Sequence, residues 1–230
     1  MPPAPPTPHA PPPPDAPESD VPSAAHPRSK ARHDAQDAFF GYYPGPVAVV
    51  TARHGDAVNV MSAGWHAALS AAPPLYGVAI APERHTHALV AAAGAFAVHF
   101  LPIERADAVQ GAGVLSGADV PDKLAALNLA WREGDHGLPI LEDAYLAYAC
   151  TVRERHPAGD HDWFVGDVTG VYADADAYPD RLLDAAVASP AIYYGRSRYE
   201  GLGHGPVRTF DVDALRALGR GATDDEGGAA

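Results

Sequence analysis

The chain has 230 residues, a formal charge of −13 and an apolar fraction of 47% in which alanine is prominent. This length suggests one domain with tails, large enough to bury a sizeable core. The acidic excess argues against non-specific nucleic-acid binding and against a basic membrane-surface helix, but leaves room for an anionic ligand held by a few local donors.

Residues 1–36 hold twelve of the 24 prolines, among Ala, Asp and Ser. Proline removes backbone donors, and few large apolar side chains are present to offset the entropy of ordering, so a disordered or polyproline-II tail is expected. The opening Met1-Pro2-Pro3-Ala4-Pro5-Pro6 has neither a basic n-region nor an apolar h-region, and no run of about 18 apolar residues follows. Neither a secretory signal nor a transmembrane helix is therefore expected, and a cytoplasmic location is the expectation.

Pro46 to Ala52 is a short apolar run with β-branched residues and predicts a strand. Arg53-His54-Gly55-Asp56 predicts a turn and Ala57 to Ala63 a second strand, so the two form a hairpin. Leu75 to Ile80 predicts a third strand. Thr86 to Ala93 predicts a helix with a hydroxyl cap, stopped by Gly94. The alternating Ala95 to Leu101 predicts a strand, and helices are expected over about 105–113 and 122–127. Strands are expected again over 144–154 and 162–172, with an extended segment over 190–199. Gly201-Leu202-Gly203-His204-Gly205 reads as a flexible loop, and residues 206–230 as a C-terminal extension with a frayed end. Many short strands with two or three inserted helices predict a mainly β protein, a barrel with helical caps.

Cys150 is the lone cysteine and lies in an apolar stretch, so a buried structural thiol is expected. The twelve histidines show no His-x-x-x-His or carboxylate-paired spacing, and His85 and His87 would diverge at a helix start; no metal site is expected. No Gly-x-Gly-x-x-Gly or Walker loop occurs, and Gly111-Ala112-Gly113 is too short to count as one.

The segment with most chemical content runs from Asn59-Val60-Met61-Ser62-Ala63-Gly64-Trp65 through Pro73-Pro74-Leu75 to Arg84-His85-Thr86-His87. Small residues beside a tryptophan let a flat ligand approach the backbone. An arginine and a hydroxyl where a turn enters a helix suit a phosphate. The same residues equally admit Trp65 as core and Arg84 as a surface cation. Gly159-Asp160-His161 offers a turn followed by a flat polar ring, or simply a turn with a surface histidine.

Taken in order, Tyr43-Pro44-Gly45-Pro46-Val47-Ala48-Val49-Val50-Thr51, Asn59 to Trp65, Pro73-Pro74-Leu75, Arg84 to His87, Gly94 to Val98 and Gly159-Asp160-His161 resemble the flavin reductase-like domain family over about residues 38–200. The resemblance implies an FMN-binding split barrel over 37–205, usually a homodimer with flavin near the subunit interface. Carried over, Asn59, Val60, Met61, Ser62, Ala63, Gly64 and Trp65 would line the isoalloxazine and ribityl chain. Arg84 and Thr86 would hold the phosphate, His85 between them would belong to the cofactor-binding set, and Lys123 would make a second phosphate or pyrophosphate contact. His161 would sit on the nicotinamide side and is the candidate catalytic residue. The resemblance thus implies FMN (or FAD) as cofactor, NAD(P)H as co-substrate and, for released reduced flavin, a partner oxygenase. A tightly held flavin serving as electron carrier without NAD(P)H oxidation draws on the same residues. A split barrel of the pyridoxamine-phosphate-oxidase type is a third reading, which the Asn59–Trp65 and Gly159–His161 elements disfavour.

Overall fold

The computed structural model describes residue 32 and residues 43–202. The expectations for the Pro-rich tail and for the extension over 206–230 otherwise lie outside these residues. A short β1 (Gly45–Pro46) leads into β2 (Ala48–His54), which turns at Gly55 and returns as β3 (Ala57–Ala63). Their register runs from Ala48↔Ala63 to His54↔Ala57, the hairpin expected from the sequence. Next come β4 (His66–Ala71), β5 (Pro74–Ile80), α1 (His85–Ala93) and β6 (Ala95–Phe100). Helices α2 (Ala106–Val114) and α3 (Lys123–Ala126) follow, then the small pair β7 (Trp131–Glu133) and β8 (Pro139–Leu141). The long β9 (Leu146–Ala158) and β10 (His161–Ala173) form a hairpin, and β11 (Ala191–Gly195) and β12 (Arg198–Gly201) end the described chain.

Seven strands make one antiparallel sheet in the order β3-β2-β6-β9-β10-β5-β4. Its two edge strands, β3 and β4, are consecutive in sequence and joined only by Gly64-Trp65. Laid flat, seven strands would span about 29 Å, whereas two linking residues reach only about 10 Å from strand to strand. The sheet must therefore roll until its edges meet. The Ala79 N–H donates to the Trp65 carbonyl at 2.9 Å and ties the corner to β5. The result is the expected mainly β split barrel, with α1, α2 and α3 as caps and β1-β11-β12 as a small separate sheet.

The interior is filled by side chains such as Val50, Val78, Ile80, Phe96, Val98 and Phe164, with Cys150 among them. Burial pushes the Cys150 thiol up to about 12, which makes it an inert core group. A second cluster, including Val49, Val60, Val109 and Leu124, packs the outer face of β2 and β3 against α2 and α3. Strands β2 and β6 are thus covered on both faces, which is why Ala48–Ala52 reads as a continuous apolar run.

Some boundaries differ from expectation. The segment expected as a helix from Arg105 begins as a 3-10 turn over Ile103–Arg105 before α2. Strand β4 was not expected: its HAALSA sequence is small, mostly exposed and at an edge, so it lacks an alternating apolar signal. Gly201 ends a strand, where a flexible loop was expected, and residues 203–205 lie outside the described residues.

Candidate functional site

Along β3, side chains alternate between the barrel and the α2/α3 side, and the Gly64-Trp65 corner opens the backbone next to them. Beside this strand lies a cleft of about 430 Å³. Asn59, Met61, Ser62, Ala63, Gly64 and Trp65 line it. So do Arg84, His85, Thr86, Lys123 and His161, drawn from positions up to a hundred residues apart. Val60 differs: its side chain is fully buried under α2 and α3, and its carbonyl alone reaches toward the site, as an acceptor for Lys123.

Helix α1 enters the cleft by its N-terminus. Ala-rich HTHALVAAA favours helix, and Gly94 ends it in the left-handed region (φ 64°), its N–H bonded to the Val90 carbonyl. The cap is Arg84, with extended backbone and no side-chain capping bond, and no acidic residue occupies the first turn. The first amide N–H groups have no intrahelical acceptor, so this end presents donors and partial positive charge. Thr86 does not cap the helix as expected. It sits inside the first turn, buried, its hydroxyl accepting from Asn59 Nδ2 at 2.8 Å. This bond ties the helix entrance to β3. Arg84 is exposed and 3.8 Å from Glu83, whose carboxylate also lines the cleft and shields the guanidinium.

Lys123 opens α3, whose first turn is capped by Asp122 accepting from the Ala125 N–H at 3.0 Å. Its side chain is 3% exposed. Nζ donates to the Val60 and Ala112 carbonyls, both at 2.7 Å, leaving its third proton for the cleft. Burial, and then the Arg84 guanidinium, bring the amine down to about 8. A phosphate here would offset both effects by favouring the charged amine.

At the opposite rim, Gly159 (φ 70°) and Asp160 form the two-residue turn of the β9–β10 hairpin and deliver His161. The His161 ring lies 4.8 Å from that of Trp65, tilted by 54°, and its Nδ1 bonds Asp160 Oδ1 at 2.7 Å. This hydrogen bond holds the Asp160 carboxyl below its usual range. His85 and His87 diverge as expected: His85 faces the cleft, while His87 Nε2 lies 2.8 Å from Asp162 Oδ2. That contact fixes α1 to the strand that carries His161. Among the described residues, no group of three His, Cys, Asp or Glu side chains could hold a metal ion, and no helix is long and apolar enough to cross a membrane.

The sequence did not point to the third wall. Gln110, Ala112 and Gly113 of α2, the loop Leu115–Gly117, and Tyr193 and Tyr199 of the small sheet also line the cleft. Gly117 is there by necessity: a Cβ on it would stand 2.6 Å from Asn59 Oδ1 and 2.9 Å from the His85 ring. Ser62 Oγ donates to the Val109 carbonyl and secures β3 to this wall.

The cleft of this antiparallel split barrel combines open helix N–H groups, a lysine, an arginine and a flat aromatic rim, which are donors and a surface that could hold a planar, phosphate-bearing ligand. The Flavin reductase like domain family matches residues 40–203, and the chain belongs to it. An uncharacterized protein of Aeropyrum pernix is 34% identical over 160 residues, 69% of this chain and 60% of that protein, so the match spans less than two thirds of the relative. An NADH-dependent FMN reductase of Streptomyces nodosus subsp. asukaensis is 28% identical over 77% of this chain and 90% of its own length. Among solved structures, the FMN-binding protein of Thermus thermophilus with bound 1-cyclohex-2-enone superposes with a TM-score of 0.69, at 35% identity over 79% of this chain and 99% of that one. Flavoredoxin of Desulfovibrio vulgaris gives a TM-score of 0.66, at 25% identity over 75% of this chain and 94% of that one.

Proposed function

We propose that the cleft binds FMN and that the protein is an NAD(P)H:flavin oxidoreductase. The observation that carries this reading is the convergence of the Asn59–Trp65 strand and corner, the α1 N-terminus and Lys123 on one cleft, with His161 against Trp65 at its rim. The donor set fits the cofactor. Arg84, Lys123 and the first N–H groups of α1 would take the phosphate, the small residues Ser62 to Gly64 would admit the ring edge, and Trp65 would supply a flat face.

Held at its phosphate by Arg84, Lys123 and the α1 N-terminus, FMN would supply a two-electron acceptor for the hydride of NAD(P)H. The chain's own residues bind and orient. His161, held by Asp160, would position the nicotinamide at the Trp65 side, and the His87–Asp162 contact would keep that edge in register with the phosphate end. No side-chain acid or base is required for hydride transfer, so the charged groups of the cleft serve to bind and orient. The same reading carries FAD as an alternative flavin, a homodimer with flavin near the subunit interface, a cytoplasmic location and, for released reduced flavin, a partner oxygenase.

A second reading, an electron carrier with tightly held FMN, is favoured by the likeness to flavoredoxin. Titration with FMN and with riboflavin tests the site: FMN should bind about 10-fold or more tightly than riboflavin, since each charge-assisted phosphate contact contributes about 1.5–3 kcal/mol. Equal affinities would remove the phosphate assignment. Steady-state oxidation of NADH or NADPH with excess FMN, lowered in His161→Ala while FMN affinity is kept, supports the reductase; activity unchanged by His161→Ala would remove the role given to that ring.

A further inference from the structure

A second cavity, of about 320 Å³, lies on the far side of the Gly64 corner and shares Val47, Gly64 and Tyr193 with the first cleft. Its other walls include Tyr43, Phe100 and the pair His66 and Tyr76. At this size it sits at the lower end of small-molecule pockets, with room for a single-ring compound and not for a dinucleotide.

The polarity of the His66–Tyr76 hydrogen bond in its wall is determined. His66 Nε2 lies 3.1 Å from the Pro46 carbonyl, and Nδ1 lies 2.7 Å from the Tyr76 hydroxyl. A carbonyl can only accept, so Nε2 carries the proton and donates. In the neutral ring Nδ1 is then the acceptor, and the Tyr76 O–H donates to it. Burial lowers the His66 pKa, which favours that neutral ring. The Tyr76 proton is thereby committed, and the phenol oxygen has only lone pairs left to offer. The surroundings are aromatic: Phe100 lies 5.6 Å from the His66 ring and 6.5 Å from that of Tyr76.

We propose that this cavity is a binding site for a neutral, single-ring aromatic molecule carrying a hydrogen-bond donor, of the phenol class, whose donor is accepted by the Tyr76 oxygen. The ring would lie between aromatic walls, and the shared Gly64 and Val47 would place it next to the flavin cleft. The site is separate from the FMN reading and stands or falls without it. A molecule of the same shape without a donor would leave the Tyr76 oxygen unpaired on binding and bind more weakly.

The test is a ¹⁹F NMR titration of the FMN-incubated full chain with 4-fluorophenol and with 4-fluorotoluene, with FMN affinity measured in the same samples. 4-Fluorophenol should bind saturably, and Tyr76→Phe should weaken it about five- to tenfold, leaving the weaker binding of 4-fluorotoluene unchanged. ¹⁹F–¹H Overhauser contacts from bound 4-fluorophenol to the Phe100 and Tyr76 rings should place it in this cavity and keep the test decisive if Tyr76→Phe does not fold. Absence of saturable binding, equal binding of the two compounds, bound 4-fluorophenol without contacts to the Phe100 and Tyr76 rings, or competition between 4-fluorophenol and FMN for one site would each overturn the proposal. Loss of FMN binding with phenol binding intact would instead count against the flavin reading alone.

Discussion

Lys123→Met separates a ligand contact from a structural pin. The substitution removes two charge-assisted hydrogen bonds, to the Val60 and Ala112 carbonyls, at about 1.5 kcal/mol each. Against this, the fold holds the protonated amine at about 8 where an ordinary lysine lies at 10.5, so the buried charge costs about 3 kcal/mol at about 1.4 kcal/mol per pKa unit. The two effects cancel to within about 1 kcal/mol, and methionine fills the channel left by the unbranched side chain. Urea unfolding of the apo-protein should therefore give nearly unchanged stability, while FMN affinity falls about 10- to 100-fold for loss of one phosphate contact. The pH dependence has a definite sign. Phosphate favours the charged amine, so affinity is greatest below about 8 and falls as the free protein's Lys123 deprotonates above it. The fall should be absent in Lys123→Met. Stability lowered by more than about 3 kcal/mol, with FMN affinity per folded molecule unchanged, would refute the assignment and leave Lys123 as a clamp between β3, α2 and α3.

Arg84→Ala should weaken FMN binding about 10-fold or more, at the low end because Arg84 is exposed and shared with Glu83; a fluorescence titration checks this, and an unchanged affinity contradicts it. Gly117→Ala should lower FMN affinity and leave NAD(P)H-independent folding intact, because the new methyl must displace the Asn59 amide that holds Thr86; the calorimetric binding constant reads the effect. Burial holds His99 at about 4, against 6.5 for an ordinary histidine. The unfolded chain takes up that proton below about 6.5 and the folded one only near 4, so stability is full above this window and falls through it, by up to about 3 kcal/mol. His99→Gln should flatten urea midpoints between pH 6.5 and about 4.5 relative to the parent protein; identical slopes would refute the assignment.

The parts of the fold legible in the sequence are those whose burial leaves a pattern. The β2–β3 hairpin shows in the Val47–Ala52 run and the Gly55 turn, and α1 ends where Gly94 can adopt positive φ. Strand β4 left no pattern, because an edge strand of small exposed residues needs neither alternation nor β-branching to pair with β5. The site was legible where one segment supplies it, from Asn59 to Thr86. It was not legible where three distant segments meet. Nothing local in Gly111-Ala112-Gly113 shows that these small residues face a cleft, and nothing links Gly117 to Asn59 fifty-eight residues earlier. The resemblance carries the whole Asn59–Trp65 strand to the flavin, Val60 included, yet strand alternation turns the Val60 side chain away into the core. Thr86 resembled a cap, but Asn59 holds its hydroxyl and Arg84 takes the cap position.

The most direct test of the central claim is the absorbance of the FMN-loaded protein on anaerobic addition of NADH or NADPH. The account predicts that the oxidised flavin bands bleach with at least one nucleotide, with one NAD(P)H consumed per flavin. A protein that stays yellow with both, while chemical reductants bleach it, would contradict the reductase and leave a flavin-binding electron carrier in its place.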